Sequence, residues 1–384
     1  MLDLEELLRF AVEQGVSDIH VKVGARPRLR IDGRLREAPF DTVEPADTER
    51  VIAAIMPTGR HETFTAGHEA DFMYSIAGLG RFRASAFRQR GWAGLVLRRV
   101  LPGIPGFDAL GLPQSVPELL VHTQGLVLVT GLAGSGKTST LAAMVDHLNT
   151  NRECHVVTIE DPVEVLHADK RSIVDQREVG SDTPSAVSAV RHALRQDPDV
   201  IVLSELREAE LAALALEAAE IGHLVLASMP TVSAIDTVER FVELFPLDRQ
   251  VQARSSLAAT LRAIVSQRLL PRAGGRGRVP AVEVLVGNAR VAQRIREPGR
   301  LPELQAEMEQ GDLYGMQCND ASVLDLYRNG LISRVAAVAA AREPSEMRFS
   351  LDRADFDRSH GGTPSAPLAS APPPTTPGPP AANG

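Results

Sequence analysis

Leu126-Val127-Leu128-Val129-Thr130-Gly131-Leu132-Ala133-Gly134-Ser135-Gly136-Lys137-Thr138 decides the fold of this chain. Its first part is an unbroken apolar run, the pattern of a parallel strand buried on both faces. Its second part fits G-x-x-x-x-G-K-[ST], and a helical stretch over about 137–149 follows. Strand before and helix after is the context this phosphate-binding pattern requires. Gly131, Gly134 and Gly136 let the backbone curl without Cβ clashes, so successive N–H groups face one point. The helix N-terminus adds positive partial charge there. Lys137 is expected to reach the β- and γ-phosphates of a nucleotide and Thr138 to offer its hydroxyl to Mg²⁺. Ser135 and Ser139 belong to the same cradle, whose expected cofactors are ATP and Mg²⁺.

Outward from this stretch, three more apolar runs read as buried strands: Val156–Ile159, Val200–Leu203 and Leu224–Ala227. Helical patterns over about 184–195 and 207–221 separate them. Strands alternating with helices predict an α/β domain with a central parallel sheet. Residues 248–270 and 285–345 read as helical. Upstream, residues 1–16 form an amphipathic helical pattern, then the period drops to two in Asp18–Val23. Arg28–Leu35 continues as a hairpin around Asp32-Gly33. A helix is expected near 45–56, a strand pair at Asp71–Ile76 and Arg81–Phe87, and a last strand at Leu95–Arg99. This predicts a small α+β domain over 1–101, a Pro/Gly linker over 102–115, and an α/β domain over 116–345 that carries the phosphate loop. Residues 361–384, rich in Pro, Ala, Gly, Ser and Thr, cannot bury enough surface to offset the entropy of ordering. A flexible spacer is the preferred reading of this tail over a ligand for a partner.

Formal charge is −8, which argues against a nucleic-acid binder but leaves room for a local basic groove. The two cysteines, Cys154 and Cys318, are too few for a tetracysteine zinc site or a disulfide framework. The acidic N-terminus has no basic n-region or apolar h-region of a signal peptide. No stretch reaches the ~18 uncharged apolar residues of a membrane span. The expected setting is the cytosol, with any membrane association made through a partner.

Two acidic clusters follow buried runs. Glu205 closes Asp197-Pro198-Asp199-Val200-Ile201-Val202-Leu203-Ser204-Glu205, where a carboxylate can polarise an attacking water. Glu160, Asp161 and Glu164 crowd three carboxylates into five residues, which repel unless a cation or a water network uses them. Glu205, Glu160 and Glu164 are the catalytic candidates, and Asp161 joins Thr138 as a metal candidate.

Together these residues resemble the secretion-ATPase superfamily, and within it the PilT retraction ATPases of type IV pili. Thr158–Glu164 looks like that family's Asp box, Asp197–Arg207 like its Walker B, and Gly222-His223-Leu224-Val225 like the opening of its His box. Gln176-Arg177-Glu178-Val179-Gly180, Ser266-Gln267-Arg268-Leu269-Leu270 and Gly315-Met316-Gln317 also match. In the first domain, Ser17-Asp18-Ile19-His20, Glu69-Ala70-Asp71-Phe72 and Gly80-Arg81-Phe82-Arg83 match as well. The resemblance runs from about residue 1 to about 345. It implies a PAS-like first domain, a RecA-like second one and a homohexameric ring at the inner face of the cytoplasmic membrane. It also implies docking on the inner-membrane pilus platform protein, and arginines of the first domain, among Arg81, Arg83, Arg98 and Arg99, directed at the γ-phosphate.

Some positions depart from the family. Pro230, in Ser228-Met229-Pro230-Thr231, stands where the family's His box carries its second histidine. Proline has neither side-chain donor nor N–H. Leu132 and Ala133 replace Pro and Thr in the P-loop, and Ser204 replaces Gly before Glu205. His223 is kept, with a helix-end or core role as open as a catalytic one. Reduced turnover is therefore expected. The alternatives are an accessory ring subunit beside another PilT-like ATPase, a type II secretion or pilus-assembly ATPase, and a nucleic-acid motor.

Overall fold

The computed structural model describes residues 2–31, 34–100, 103–275, 277–297 and 299–359 of the 384-residue chain. Two sheets organise it. The first joins β1 (Asp18–Lys22), β2 (Arg28–Ile31), β3 (Arg34–Glu37), β4 (Glu69–Ile76), β5 (Gly80–Gln89) and β6 (Trp92–Val100). Its order is β3-β2-β1-β6-β5-β4, antiparallel throughout. Side chains alternate across a strand, so each strand divides into a core face and an open face. Ile19, Leu29, Phe72, Phe82, Leu95 and Leu97 form the core face, packed with Leu7, Leu8, Val51 and Ile52 of helices Leu4–Glu13 and Pro45–Ile55. The open face carries Asp18, Arg81, Arg83 and Arg98, with Arg83 and Asp18 the cross-strand neighbours of Arg98.

The second sheet contains β7 (Gly125–Thr130), β8 (His155–Glu160), β9 (Ile173–Glu178), β10 (Val200–Leu203), β11 (Leu224–Met229), β12 (Leu261–Pro271) and β13 (Arg278–Val286). Its order is β13-β12-β7-β11-β10-β8-β9. All pairs are parallel except β12–β13. Both faces are covered, which explains the continuous apolar runs. Leu126, Leu128, Ile201, Leu203 and Val225 face helices Ala209–Glu220, Ala234–Glu243 and Gln250–Thr260. Val127, Val129, Val202 and Leu226 face helix Lys137–Asn151. The domain is thus mixed α/β with a largely parallel sheet and C-terminal helices, as the sequence predicts.

The structure differs from the sequence expectation at several points. The segment 248–270 is helical only over Gln250–Thr260; Leu261–Pro271 is β12, bonded on one side to β7 and on the other to β13. Strands β9 and β13 and helix Thr58–Gly67 have no counterpart in the sequence expectation. Leu112, inside the stretch expected as linker, is buried in the second domain's core. A final helix, Pro344–Ser359, extends past residue 345 and buries Met347 and Leu351 against Val323 and Ala337. The Asp32-Gly33 turn and the tail 361–384 lie outside the described residues. Among the described residues, no helix is long and apolar enough to cross a membrane.

Asp47 ties the chain start to the first domain. Its carboxylate accepts from Leu2 N at 2.9 Å, Glu44 N at 3.2 Å and Arg50 Nη2 at 3.1 Å. The Leu2 amide, against the cost of burial, holds its pKa below the ordinary aspartate value. A depressed pKa stabilises the fold above the unfolded value and loses that contribution as pH falls through the folded one. Asp47→Ala is therefore expected to cost about 1–3 kcal/mol in urea unfolding at pH 7. The gap from wild type should narrow below about pH 4.

Candidate functional site

The phosphate loop is packed from below. All six residues of β7 are buried, and the chain turns at Gly131 with φ 146°. A Cβ there would lie 2.3 Å from Ser135 Oγ and 2.4 Å from the Gln267 carbonyl oxygen, so no other residue fits. Gly134 and Gly136 also have positive φ, at 77° and 97°. Helix Lys137–Asn151 starts directly after them. Gln267 of β12 braces the loop through both ends of its amide. Its Nε2 donates to the Ser135 carbonyl at 2.8 Å, and its Oε1 accepts from Thr140 Oγ1 at 2.9 Å.

Lys137 Nζ donates to the carbonyls of Gly131 at 2.7 Å and Leu132 at 3.2 Å, which places the ammonium across the mouth of the loop. Burial lowers its pKa, and the charge of Glu205 opposes that shift. Ser135 Oγ is buried without a protein partner, the kind of orphan that a ligand satisfies. Thr138 lines a pocket of about 50 Å³ with Glu160, Thr158, Ser204 and His167. Ser139 is half-buried on the same helical turn.

The parallel register brings both acidic clusters to this edge. Leu203 lies beside Ile159 and Ala227, and Met229 beside Thr130, so Glu160 and Glu205 leave the sheet on the side of Gly131. Glu160 ends β8 and accepts from Thr158 Oγ1 at 2.6 Å and Gln176 Nε2 at 3.0 Å. Burial pushes its pKa up, those two bonds pull against it, and Glu164 adds to the rise. Glu205 receives Arg207 Nη2 at 2.7 Å, a bond that raises the arginine's already high pKa. Ser204 is fixed on both sides: its N–H donates to the Ile159 carbonyl, and its carbonyl accepts from Ser228 Oγ.

Cations of the first domain face these carboxylates. Arg83 Nη1 pairs with Glu164 at 3.2 Å. Arg81 is half-buried, with Nε and Nη1 lacking partners, and the charges of Glu178 and Glu160 act on it. Burial lowers its pKa, opposed by those two carboxylates. Arg60 Nη2 lies 3.3 Å from Asp161 and 2.7 Å from the Val179 carbonyl. Arg98 is engaged elsewhere, donating from Nε to Asp18 at 2.7 Å. Arg99 points to the opposite face of β6, toward the Val12 carbonyl. His223 precedes β11 at the far edge of the sheet, a strand length of about 20 Å from the phosphate loop. Its Nδ1 lies 2.7 Å from the carbonyl of Pro198, just before β10. Pro230, by contrast, is exposed directly after β11, and the Met229 carbonyl beside it accepts the Gly131 N–H.

Gln267, Glu178, Gln176 and Arg60 shape the site without standing out as single residues. Gln267, Gln176 and Glu178 sit inside matched runs, which is the one sequence signal for them. Glu178 is buried and accepts from Val163 N at 3.0 Å, anchoring the loop that holds Glu164. Among the described residues no three His, Cys, Asp or Glu side chains converge on one point. A Mg²⁺ ion here would have to be a shared one, taking phosphate oxygens and waters for most of its ligands; Thr138 lines the pocket beside Glu160, whereas the Asp161 carboxylate is paired with Arg60. Gln267→Leu removes both braces of the loop and is expected to weaken binding of a fluorescent ATP analogue about tenfold, or about 1.4 kcal/mol. Titration of the full chain checks this.

Residues 2–302 match the family described as Type II/IV secretion system protein. The chain is 39% identical over 346 residues to the type IV pilus retraction ATPase PilT of Pseudomonas aeruginosa, covering 90% of this chain and 100% of that one. It is 38% identical over 348 residues to the type IV pilus ATPase PilU of the same organism, covering 91% of each. The crystal structure of the pilus retraction motor PilT with bound ADP superposes with a TM-score of 0.83 at 42% identity, over 91% of this chain and 100% of that one. The chain belongs to the Type II/IV secretion system protein family and is a PilT-type ATPase within it.

Proposed function

We infer that this chain binds Mg²⁺ and ATP at the P-loop and hydrolyses the nucleotide to drive retraction of a type IV pilus. The observation that carries this reading is the meeting of two domains at one edge. Arg81 and Arg83 of the first domain face Glu160 and Glu164 of the second, where Lys137 and Glu205 also converge. Such a site closes only when both domains are correctly set, which is how hydrolysis can be coupled to movement.

Each residue has a role in this reading. Lys137 and the loop N–H groups hold the phosphates, helped by Ser135 and Ser139. Thr138 and Asp161 hold the metal ion, which when bound neutralises charge on the phosphates. Glu205, next to the ammonium of Lys137, orients the attacking water. Glu160, with its raised pKa, is the second candidate for the transferred proton. Glu164 sets Arg83, and Arg81 approaches the γ-phosphate. Arg98 lies on the same face as Arg83 but is held by Asp18, so its part is to fasten β6 to β1 at the centre of the first sheet.

The same reading takes the first 101 residues and residues 116–345 as the two working domains. Six copies would form a ring at the cytoplasmic face of the membrane, docked on the inner-membrane platform protein. A nucleic-acid partner has no support in the net charge of −8. Pro230 favours a second reading, that of a slow or silent ring subunit beside another PilT-like ATPase. Where the resemblance implies an imidazole, this chain has a ring without a donor.

Steady-state Mg²⁺-ATPase assays of the purified chain decide between the two. Lys137→Ala should lose nucleotide binding, whereas Glu205→Gln should bind ATP and lose at least about 100-fold in turnover. Pro230→His should raise kcat. Turnover untouched by Lys137→Ala and Glu205→Gln would overturn the site assignment. ATP binding with no turnover in any variant would favour the accessory subunit.

A further inference from the structure

Helix Thr58–Gly67 of the first domain presses its start against the turn that follows β9. Two glycines make this approach possible. A Cβ on Gly59 would stand 3.0 Å from the Gly180 carbonyl oxygen, and a Cβ on Gly180 would stand 2.8 Å from the guanidinium carbon of Arg60. Gly180 also has φ 89°. The guanidinium fills this gap, with its side chain only 17% exposed. From there Nη2 donates to the Val179 carbonyl at 2.7 Å and to Asp161 Oδ1 at 3.3 Å.

The grip falls on a consequential peptide. Val179 N–H donates to the Glu160 carbonyl at 2.9 Å, so Arg60 and Glu160 hold adjoining groups of one residue. One position earlier, the Glu178 carboxylate accepts from Val163 N at 3.0 Å and from Ser181 Oγ at 3.2 Å. Gln176 reaches the Glu160 carboxylate at 3.0 Å. The corner carrying Glu160, Asp161 and Glu164 is therefore suspended from the end of β9, and Arg60 fastens that end to the first domain.

We propose that Arg60 is a positioning residue for hydrolysis: a cross-domain clamp that sets the Glu160–Glu164 corner, with Gly59 and Gly180 as the gap it needs. It acts through the Val179 peptide and the Asp161 carboxylate. Arg81 and Arg83 face the carboxylates from β5, while Arg60 holds the backbone beneath them. The proposal rests on the reading of this site as an ATPase centre. It predicts that chemistry and nucleotide binding separate, because none of the loop braces at Gln267, Thr140 or Lys137 involves Arg60.

The test uses Arg60→Ala, Arg60→Lys and Gly180→Ala in the full chain, read by steady-state kinetics and by hydrogen exchange. Arg60→Ala is expected to lower kcat about 10- to 100-fold, the scale of a small misplacement of catalytic groups, with KM for ATP within about twofold. Arg60→Lys should recover part of the loss, since an ammonium can still donate to the Val179 carbonyl. Gly180→Ala should resemble Arg60→Ala. In hydrogen exchange, Arg60→Ala should lose protection over 160–165 and 178–183 while 126–141 keeps it. A kcat equal to wild type, or kcat and ATP affinity falling together without rescue by lysine, would overturn the clamp. A wild-type protein without turnover would count against the proposed function, and exchange would then judge the clamp alone: unchanged protection over 160–165 would sink it.

Discussion

Gly131 is seated so closely between Ser135 and β12 that the phosphate loop has one way to leave β7. A Cβ at that position would overlap the Gln267 carbonyl, so the loop can rise from β7 only with glycine there and with β12 alongside. That makes β12 part of the nucleotide site although it lies far along the chain. Its Ser266 and Gln267 fix, respectively, the last residue of β7 and the first turn of the helix. The loop's shape is thereby set by packing before any phosphate is present. Preorganisation of this kind removes an ordering cost from binding.

The parallel sheet then does for the carboxylates what β12 does for the loop. Strands running the same way end at the same edge, so residues that close β8, β10 and β11 gather beside Gly131 irrespective of their spacing in the chain. This is why Glu160 and Glu205 were legible as site residues from sequence alone: each closes an apolar run. The same rule separates the two ends of the His-box region. His223 opens β11 and is carried to the far edge; Pro230 follows it and is carried to the near one.

What could not be read has equally physical causes. Leu261–Pro271 follows a helix with no breaker between Thr260 and Leu261, and Leu261, Ala263, Ile264 and Val265 fit either period. Its partners β7 and β13 decide the conformation, and periodicity does not see partners. Helix Thr58–Gly67 buries one large apolar side chain, Phe64, and so gives almost no stripe. Strand β9 lies at the sheet edge with Ile173 and Asp175 exposed, which breaks the apolar run. Among the arginines, strand parity puts Arg99 on the opposite face from Arg98, and it takes the β5–β6 register to add Arg81 and Arg83 to the side of Arg98. Parity does not reveal that Asp18 takes Arg98. Arg60 was invisible for a different reason: its partners lie about a hundred residues away in the other domain, and the family resemblance marked no residue in its helix.

Pro230 can now be weighed by what its surroundings require. The segment after it is held without it. Thr231 Oγ1 meets Thr237 Oγ1 at 2.6 Å, and Thr237 Oγ1 donates to the Ser233 carbonyl and lies 3.4 Å from Thr130 Oγ1. Thr130 in turn meets Ser266 at 2.7 Å. A second anchor is Glu283, whose carboxylate accepts Ala234 N at 2.6 Å. Asp236 receives Val232 N at 2.8 Å and caps the same turn. Every one of these bonds is made by residues other than 230, and the Met229 carbonyl still receives Gly131 N–H. The proline therefore leaves the architecture beside the phosphate loop intact and removes a single functional group at its edge. On the proposed reading, a loss of that kind bears on the chemistry or on its coupling to a neighbouring subunit, and leaves nucleotide binding to the loop that β12 supports.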